Sequence, residues 1–310
     1  MNTLITLKKI IKNNLFLKKI WDITCRGIYH IDPKILANWV YKSQFNKNIN
    51  WKDPKDLIEK IYWLQMHTDT SLWSLCADKY RVRDYVTSKG CEVYLNKLYG
   101  MWENVEEIRW DILPASFVLK WNNGSGQVIL VKDKTKLDIE TTKKTLNSWL
   151  KSTYGYEGAQ SHYLKIKSCI IAEELIPSST NTGRSLIDYK LWCFHGKPSF
   201  FLVVYDRFGD DYKLSAYDLE WNNISDRVFN KNNKHYCGEH LEKPNSLDTM
   251  IEIAKKLSED FIEVRVDFYD VEGKPNFGEL TFTTGYGYFA PEFYLELGNL
   301  IDLTTIDNIH

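Results

Sequence analysis

The chain reads as an α+β protein, and three observations say so. Short runs rich in Val, Ile, Phe and Trp come in pairs joined by tight, glycine-containing turns, the pattern of antiparallel hairpins. Between the pairs lie segments whose apolar residues recur at helical spacing. Of the 310 residues, 44% are apolar and 14% aromatic, which supplies a sizeable core. There is no internal repeat, and antiparallel strands mixed with helices define the α+β class.

Three regions follow in order. Residues 1–70 read as helical, with Asp53-Pro54 as an N-cap and first helical position opening DLIEKIYWLQMH. Residues 71–115 combine a short helix, DKYRVRDYVTSKG closed by Gly90, with a strand in CEVYLNKLYG. From 116 to 310 the core follows. SFVLKW and QVILVKD form a hairpin around NNGSG, residues 138–152 a polar-faced helix, and KSCIIAEEL a buried strand. IDYKLWCF and PSFFLVVYD flank the turn His195-Gly196-Lys197, and 207–245 reads as polar and irregular. A helix in SLDTMIEIAKKLSEDF has Met250, Ile251, Ile253, Ala254 and Leu257 at helical spacing. VRVDFYDVEGKPNFGELTFT closes the series as two strands around Glu272-Gly273.

Forty basic against 41 acidic residues leave a formal charge of −1, so there is no global attraction for nucleic acid and any polyanion site is local. The six scattered cysteines form no CxxC pair, which fits a reducing, cytoplasmic setting. No apolar run approaches a membrane span of about 20 residues. The opening MNTLITLKKIIKNNLFLKKIW is basic and apolar, but too interrupted by lysine for a signal peptide. It reads either as a helix docked on the fold or as one lying on an anionic membrane at the inner face.

Two stretches carry chemistry. Lys120 stands on a strand just before Asn123, Gly124, Ser125 and Gly126, whose backbone N–H groups suit phosphate oxygens. The loop leads into a strand, so it is neither a P-loop nor a dinucleotide fingerprint, and the kinase HRD and DFG motifs are absent. Alone, such a loop is also what any turn looks like. At the far end, Asp267 and Glu279 fall nearly opposite each other across the turn at Gly273. Two facing acids repel unless a cation lies between them, and Mg²⁺ with phosphate oxygens suits such a pair. The other reading pairs Asp267 with Arg265 and leaves Glu279 in solvent. Between these stretches, IIAEELIPSS looks like a hinge whose backbone reads an adenine edge. Alternation puts Asp188 and Lys190 on one face, with Asp188 orienting the lysine toward a phosphate.

This ordered series resembles the ATP-grasp superfamily of carboxylate–amine ligases. The wording is closest to the TupA-like ATP-grasp family of polysaccharide and teichuronopeptide gene clusters. LYGMWENVEEIRWDILPASFVLKWNNGSG, IDYKLWCFHGKPSFFLVVYDR and VRVDFYDVEGKPNFGELTFTTGYG carry the likeness, over about residues 70–300. The resemblance implies ATP and Mg²⁺ as cofactors. It implies that Lys79 and Lys120 contact phosphates, that Asn123–Gly126 forms a lid, and that Glu173, Glu174, Leu175 and Ile176 form the adenine hinge, with Glu174 or a nearby acid on the ribose. Lys190 is a further phosphate-directed lysine, and Arg265 stabilises the transferring phosphoryl group or acyl intermediate. Asp267, Glu279 and Thr281 hold metal, although Thr281 stands where many relatives of this fold carry asparagine, which puts a second metal ion in doubt.

The activity implied is ATP-dependent amide formation through an acylphosphate, with glycan or small-molecule carboxylate and amine substrates. A uronic acid joined to an amino acid or amino sugar is the expected kind of pair. Asp206 and Arg207 either bind the carboxylate or pair with each other; Gly285, Tyr286 and Phe289 belong either to an acceptor loop or to aromatic packing. A glycosyltransferase of capsule biosynthesis would need a DxD, and the nearest acidic cluster is Asp210-Asp211 in a polar loop. A non-catalytic nucleotide-binding module of the same fold is the remaining alternative. His235, Cys237 and His240 fit no standard zinc spacing.

Overall fold

A computed structural model describes residues 14–176, 185–208, 211–230, 233–236, 239–285 and 287–306. Among the described residues five helices come first: α1 (Leu15–Ile31), α2 (Pro33–Phe45), α3 (Leu57–His67), α4 (Ser71–Ala77) and α5 (Val82–Ser88). The first sheet contains β1 (Leu98–Trp102), β2 (Phe117–Trp121), β3 (Val128–Val131) and β4 (Ile170–Glu173), in the order β1-β4-β2-β3. Helices α6 (Ile139–Leu150) and α7 (Ser161–Leu164) lie between β3 and β4. The second sheet contains β5 (Asp188–Phe194), β6 (Lys197–Phe208), β7 (Asp211–Tyr217), β8 (Glu263–Val271) and β9 (Lys274–Thr281), in the order β7-β6-β5-β8-β9. Between β7 and β8 come α8 (Ser225–Val228) and α9 (Leu247–Ser258); α10 (Pro291–Asn299) follows β9. Every strand pair is antiparallel, so the fold is α+β as the hairpin pattern predicts. Among the described residues no helix is long and apolar enough to cross a membrane.

Local chemistry explains most boundaries. His195 and Gly196 both take positive φ (48° and 71°), as do Glu272 and Gly273 (53° and 79°), so both hairpins close through two-residue turns whose twist matches the strands. Three expectations need correction. The α3 N-cap is Asp56, not Asp53: its carboxylate accepts from the Ile58 and Glu59 N–H groups while Glu59 reaches back, a full capping box. In CEVYLNKLYG only Leu98 onward is strand, and Glu92–Tyr94 is a 3₁₀ turn. Within the stretch read as irregular, Asp211–Tyr217 is a full edge strand paired with β6.

Each sheet has its own core. Phe117, Leu119, Trp121, Ile170 and Ala172 pack with Leu146 of α6 behind the first sheet. The larger core gathers the second sheet, α9 and the N-terminal helices. Here α10 crosses α3 so closely that a Cβ on Gly298 would fall 2.0 Å from the Lys55 carbonyl oxygen, which admits only glycine.

Candidate active site

On the first sheet, β2 and β4 are neighbours in register, with Val118 opposite Glu173 and Lys120 opposite Ile171. Lys120 donates to Glu173 Oε2 at 2.8 Å, and Arg83 of α5 donates to Glu173 Oε1 at 3.3 Å and to the Asn96 carbonyl at 2.8 Å. One buried carboxylate thus holds two half-buried cations and leaves one positive charge uncompensated. The glycine loop is anchored at its base. Asn122 is fully buried and bonds the Lys167 carbonyl and the Cys169 N–H; Asn123 donates to the Tyr163 carbonyl at 3.1 Å. Gly124 (φ 109°) rests on the Tyr154 ring, where a Cβ would sit 3.1 Å from ring carbon, while Ser125 and Gly126 are exposed at the tip.

On the second sheet, three strands bring Lys190, Asp267 and Glu279 into one row, with Trp192, Arg265 and Thr281 in the next. The facing of Asp267 and Glu279 depends on a bulge. Phe268 pairs with Phe277 and Asp267 with Glu279, so Gly278 is the extra residue, and its missing Cβ would lie 3.0 Å from the Asp267 carbonyl oxygen. Arg265 donates to both oxygens of Asp267 at 2.6 and 2.7 Å, and Lys190 donates to Oδ2 at 2.5 Å. Arg265 also reaches Thr281 and Thr284 and lies over the Trp192 ring, 5.3 Å from its centroid. Lys190 sits 2.9 Å from Asp188, which Arg207 approaches at 3.4 Å.

Burial alone would raise the Asp267 pKa, but Arg265 and Lys190 hold it below the usual carboxylate value. Burial pulls the Lys190 ammonium down, and Asp188 and Asp267 more than offset this, so it stays charged. Arg265 is governed the same way, raised by Asp267 against burial. For Asp188 burial dominates and its pKa is raised despite Lys190. Glu279 differs from its neighbours. Its side chain is 40% exposed and touches Arg265 at 3.6 Å and the Thr281 hydroxyl at 3.3 Å. It is the one acid of the row turned toward solvent.

Lys79 joins the two halves. Its ammonium donates to the Gly124 carbonyl at 2.6 Å and lies 3.7 Å from Glu279 Oε2. A small cavity next to it is lined by Lys79, Arg83, Asn96 and Glu173 on one side and by Phe277 and Gly278 on the other. Below the loop, Tyr154 and Tyr163 meet edge to face at 4.8 Å, and burial foremost, with the Glu279 charge behind it, raises both phenols. Next to Tyr163, His162 is fully buried among Trp73, Tyr163 and Phe282, and neither ring nitrogen has a partner among the described residues. Burial foremost, then the Lys165 charge, pushes its pKa down to about 3.

The expected residues are therefore brought together in two groups, with exceptions. Glu174 is exposed and its N–H bonds the Lys97 carbonyl; Leu175 and Ile176 are half-buried beyond it. Asp206 and Arg207 do not pair with each other: Asp206, at a bulge with φ 49°, pairs with Lys213 at 3.0 Å, and Arg207 with Asp188. Gly285 is exposed beside the Tyr288 ring, and Phe289 is core, packed edge to face against Trp192, Phe200 and Phe293. Tyr286, Asp210 and Cys237 lie outside the described residues. His235 stacks on Tyr212 at 3.8 Å and bonds its carbonyl, while His240 lies against Tyr217. Sequence reasoning missed Arg83, Tyr154 and Tyr163. The alternation Lys79-x-Arg81-x-Arg83 was a signal for the arginine; the tyrosines had none.

Lysines on one side and a row of acidic side chains on the other thus face each other across Lys79. The family follows from the chain itself: residues 59–302 match the model of TupA-like ATPgrasp, and the protein belongs to that family. ATP-grasp enzymes are ATP-dependent ligases that form C–N bonds with Mg²⁺. No curated protein matches the sequence. Among solved structures, the chain is similar to a D-alanine–D-alanine ligase from Bacillus anthracis complexed with ATP (14% identity, TM-score 0.44), covering 73% of this chain and 61% of that one. It is also similar to the D-alanine–D-alanine ligase of Helicobacter pylori (17%, 0.43, 80% and 67%) and to an ADP complex of N5-carboxyaminoimidazole ribonucleotide synthetase (13%, 0.45, 73% and 50%). The chain thus spans about three fifths of the length of the first of these ligases.

The donor types fit Mg²⁺, while the side chains themselves stand as the other reading has them: Asp267 accepts from Arg265 and Lys190 on its two oxygens, and Glu279 is the half-exposed acid. Asp267, Glu279 and Thr281 offer only hard oxygen atoms, and among the described residues no group of three His, Cys, Asp or Glu forms a closed cage. Few carboxylates, with phosphate oxygens and water completing the shell, is what Mg²⁺ takes.

Proposed function

We propose that this protein is an ATP-dependent carboxylate–amine ligase acting in the cytoplasm on a cell-surface polysaccharide or teichuronopeptide precursor, joining an amino acid or amino sugar to a uronic acid. The observation that supports it most is the position of Lys79, whose one ammonium touches both the glycine loop and Glu279. A triphosphate on the loop would then lie within reach of the acid row.

In this reading Lys79 and Lys120 neutralise phosphate oxygens, and the exposed Ser125-Gly126 tip closes over them from the Asn123 and Gly124 base. Glu173, Glu174, Leu175 and Ile176 border the base and ribose. Asp267, Glu279 and Thr281 hold Mg²⁺, which when bound withdraws charge from the phosphates. A substrate carboxylate oxygen attacks the γ-phosphorus, the bond to the β,γ-bridging oxygen breaks, and ADP and an acylphosphate result. The amine then attacks the acyl carbon, phosphate leaves, and the amine proton is lost to give an amide. Arg265 and Lys190 stabilise the charge that spreads over the moving phosphoryl group and the tetrahedral oxyanion. Asp206, Arg207 and Gly285 border the acceptor.

Purified protein with Mg²⁺-ATP should release ADP only when a uronic acid-bearing acceptor and an amine are both present, with an amide seen by mass spectrometry. ATP binding without ADP release across a panel of acceptors would refute the ligase reading.

A further inference from the structure

Helix α1 is apolar over a wider arc than the fold uses. At 100° per residue, Trp21, Cys25, Ile28 and Tyr29 share the side packed on the protein, where Trp21 meets Trp39 at 5.2 Å and Tyr29 meets Tyr156 at 5.2 Å. Arg26, Lys19 and His30 fall on the polar side. Leu17, Ile20, Ile23 and Ile31 fall on a third strip, and they are 36%, 46%, 64% and 81% exposed. Ile35, in the first turn of α2, is also 49% exposed. Exposed leucines and isoleucines are ordinary when scattered; four on one side of one helix are not.

Charge selects among the occupants. The sequence up to Asp22 carries Lys8, Lys9, Lys12, Lys18 and Lys19 and no acid. A second copy docking ridge to ridge by two-fold symmetry would add one basic stretch to another. An anionic lipid surface meets them with opposite charge, each basic residue contributing attraction there. The helix is too short and polar to cross a bilayer but has the form of one that lies in its interface.

We propose that α1 docks the protein on anionic membrane through Leu17, Ile20, Ile23 and Ile31. This inference stands independently of the ligase reading. It is tested with the full chain by co-sedimentation with phosphatidylcholine vesicles, with and without about 30 mol% phosphatidylserine. Binding is expected only with phosphatidylserine and should weaken with salt. Ile20→Asp with Ile23→Asp should weaken it about tenfold or more, because each buried methylene contributes to interfacial binding. The melting temperature should hold, since both side chains face solvent. No binding to phosphatidylserine vesicles, or undiminished binding by the double variant, would overturn the proposal. So would a wild-type dimer in sedimentation equilibrium that the double variant dissociates, which would assign the ridge to a second copy.

Discussion

The two sheets carry ion networks of different design. On the first, one carboxylate (Glu173) serves two cations (Lys120 and Arg83), and the surplus is positive. On the second, Arg265, Lys190 and Arg207 are matched by Asp267, Asp188 and Glu279, with Glu279 half-exposed at the edge of the network. The first half offers an unbalanced positive charge to the cleft and the second is balanced, with one acid half-exposed; between them Lys79 makes a link. The lesson is that the two networks differ in charge balance and in burial, and in the proposed reading the first takes the phosphates and the second the metal ion.

The buried network should be the more fragile. Arg265→Ala leaves Asp267 buried with Lys190 as its one cationic partner, and removal of one member of a buried pair costs about 3–5 kcal/mol. Urea unfolding should show this loss, and a loss under about 1 kcal/mol would mean the two networks do not differ as described. Lys120→Ala should separate function from folding. Glu173 keeps Arg83, so folding changes little, while nucleotide-dependent turnover falls by about 10²–10³ if the lysine serves the phosphates. Equal turnover would leave Lys120 a purely structural partner of Glu173.

The smallest effect concerns the joint beneath the loop. His162, with its pKa pushed down to about 3 by burial, binds its proton far more weakly folded than unfolded. The unfolded chain therefore takes up the extra proton, and stability is full above pH about 6.5 and falls as the pH drops toward 3. At pH 5 the penalty is about 2 kcal/mol. His162→Phe should remove that slope, so that the variant's advantage over wild type grows between pH 7 and pH 5. Parallel stability curves would show that His162 stays unprotonated in both states or finds a partner.

Much of this was legible in the chain because turn chemistry is local. His195-Gly196 and Glu272-Gly273 announce two-residue hairpins, and alternation then places Asp188 with Lys190. What stayed hidden was non-local or masked by composition. Arg83 meets Glu173 across a long stretch of chain, with nothing in either segment to pair them. Strand β7 hides behind its Asn- and Asp-rich surroundings, and Asp53-Pro54 offers a helix start that Asp56 and Glu59 occupy more completely. The turn at Gly273 puts Asp267 and Glu279 nearly opposite each other, one residue out of register, and the bulge at Gly278, which nothing in the turn announces, supplies the last step.

That extra residue sets the tolerance of the whole site to changes in chain length. Because side chains alternate along a strand, excising Gly278 would leave a regular ladder in which Glu279 still meets Asp267 and Thr281 still meets Arg265. The site can lose a residue at this one point without losing its facing side chains, and what would change is the local twist that the bulge adds. A glycine deletion variant should therefore keep its response to divalent cations, unlike one lacking both oxygen donors.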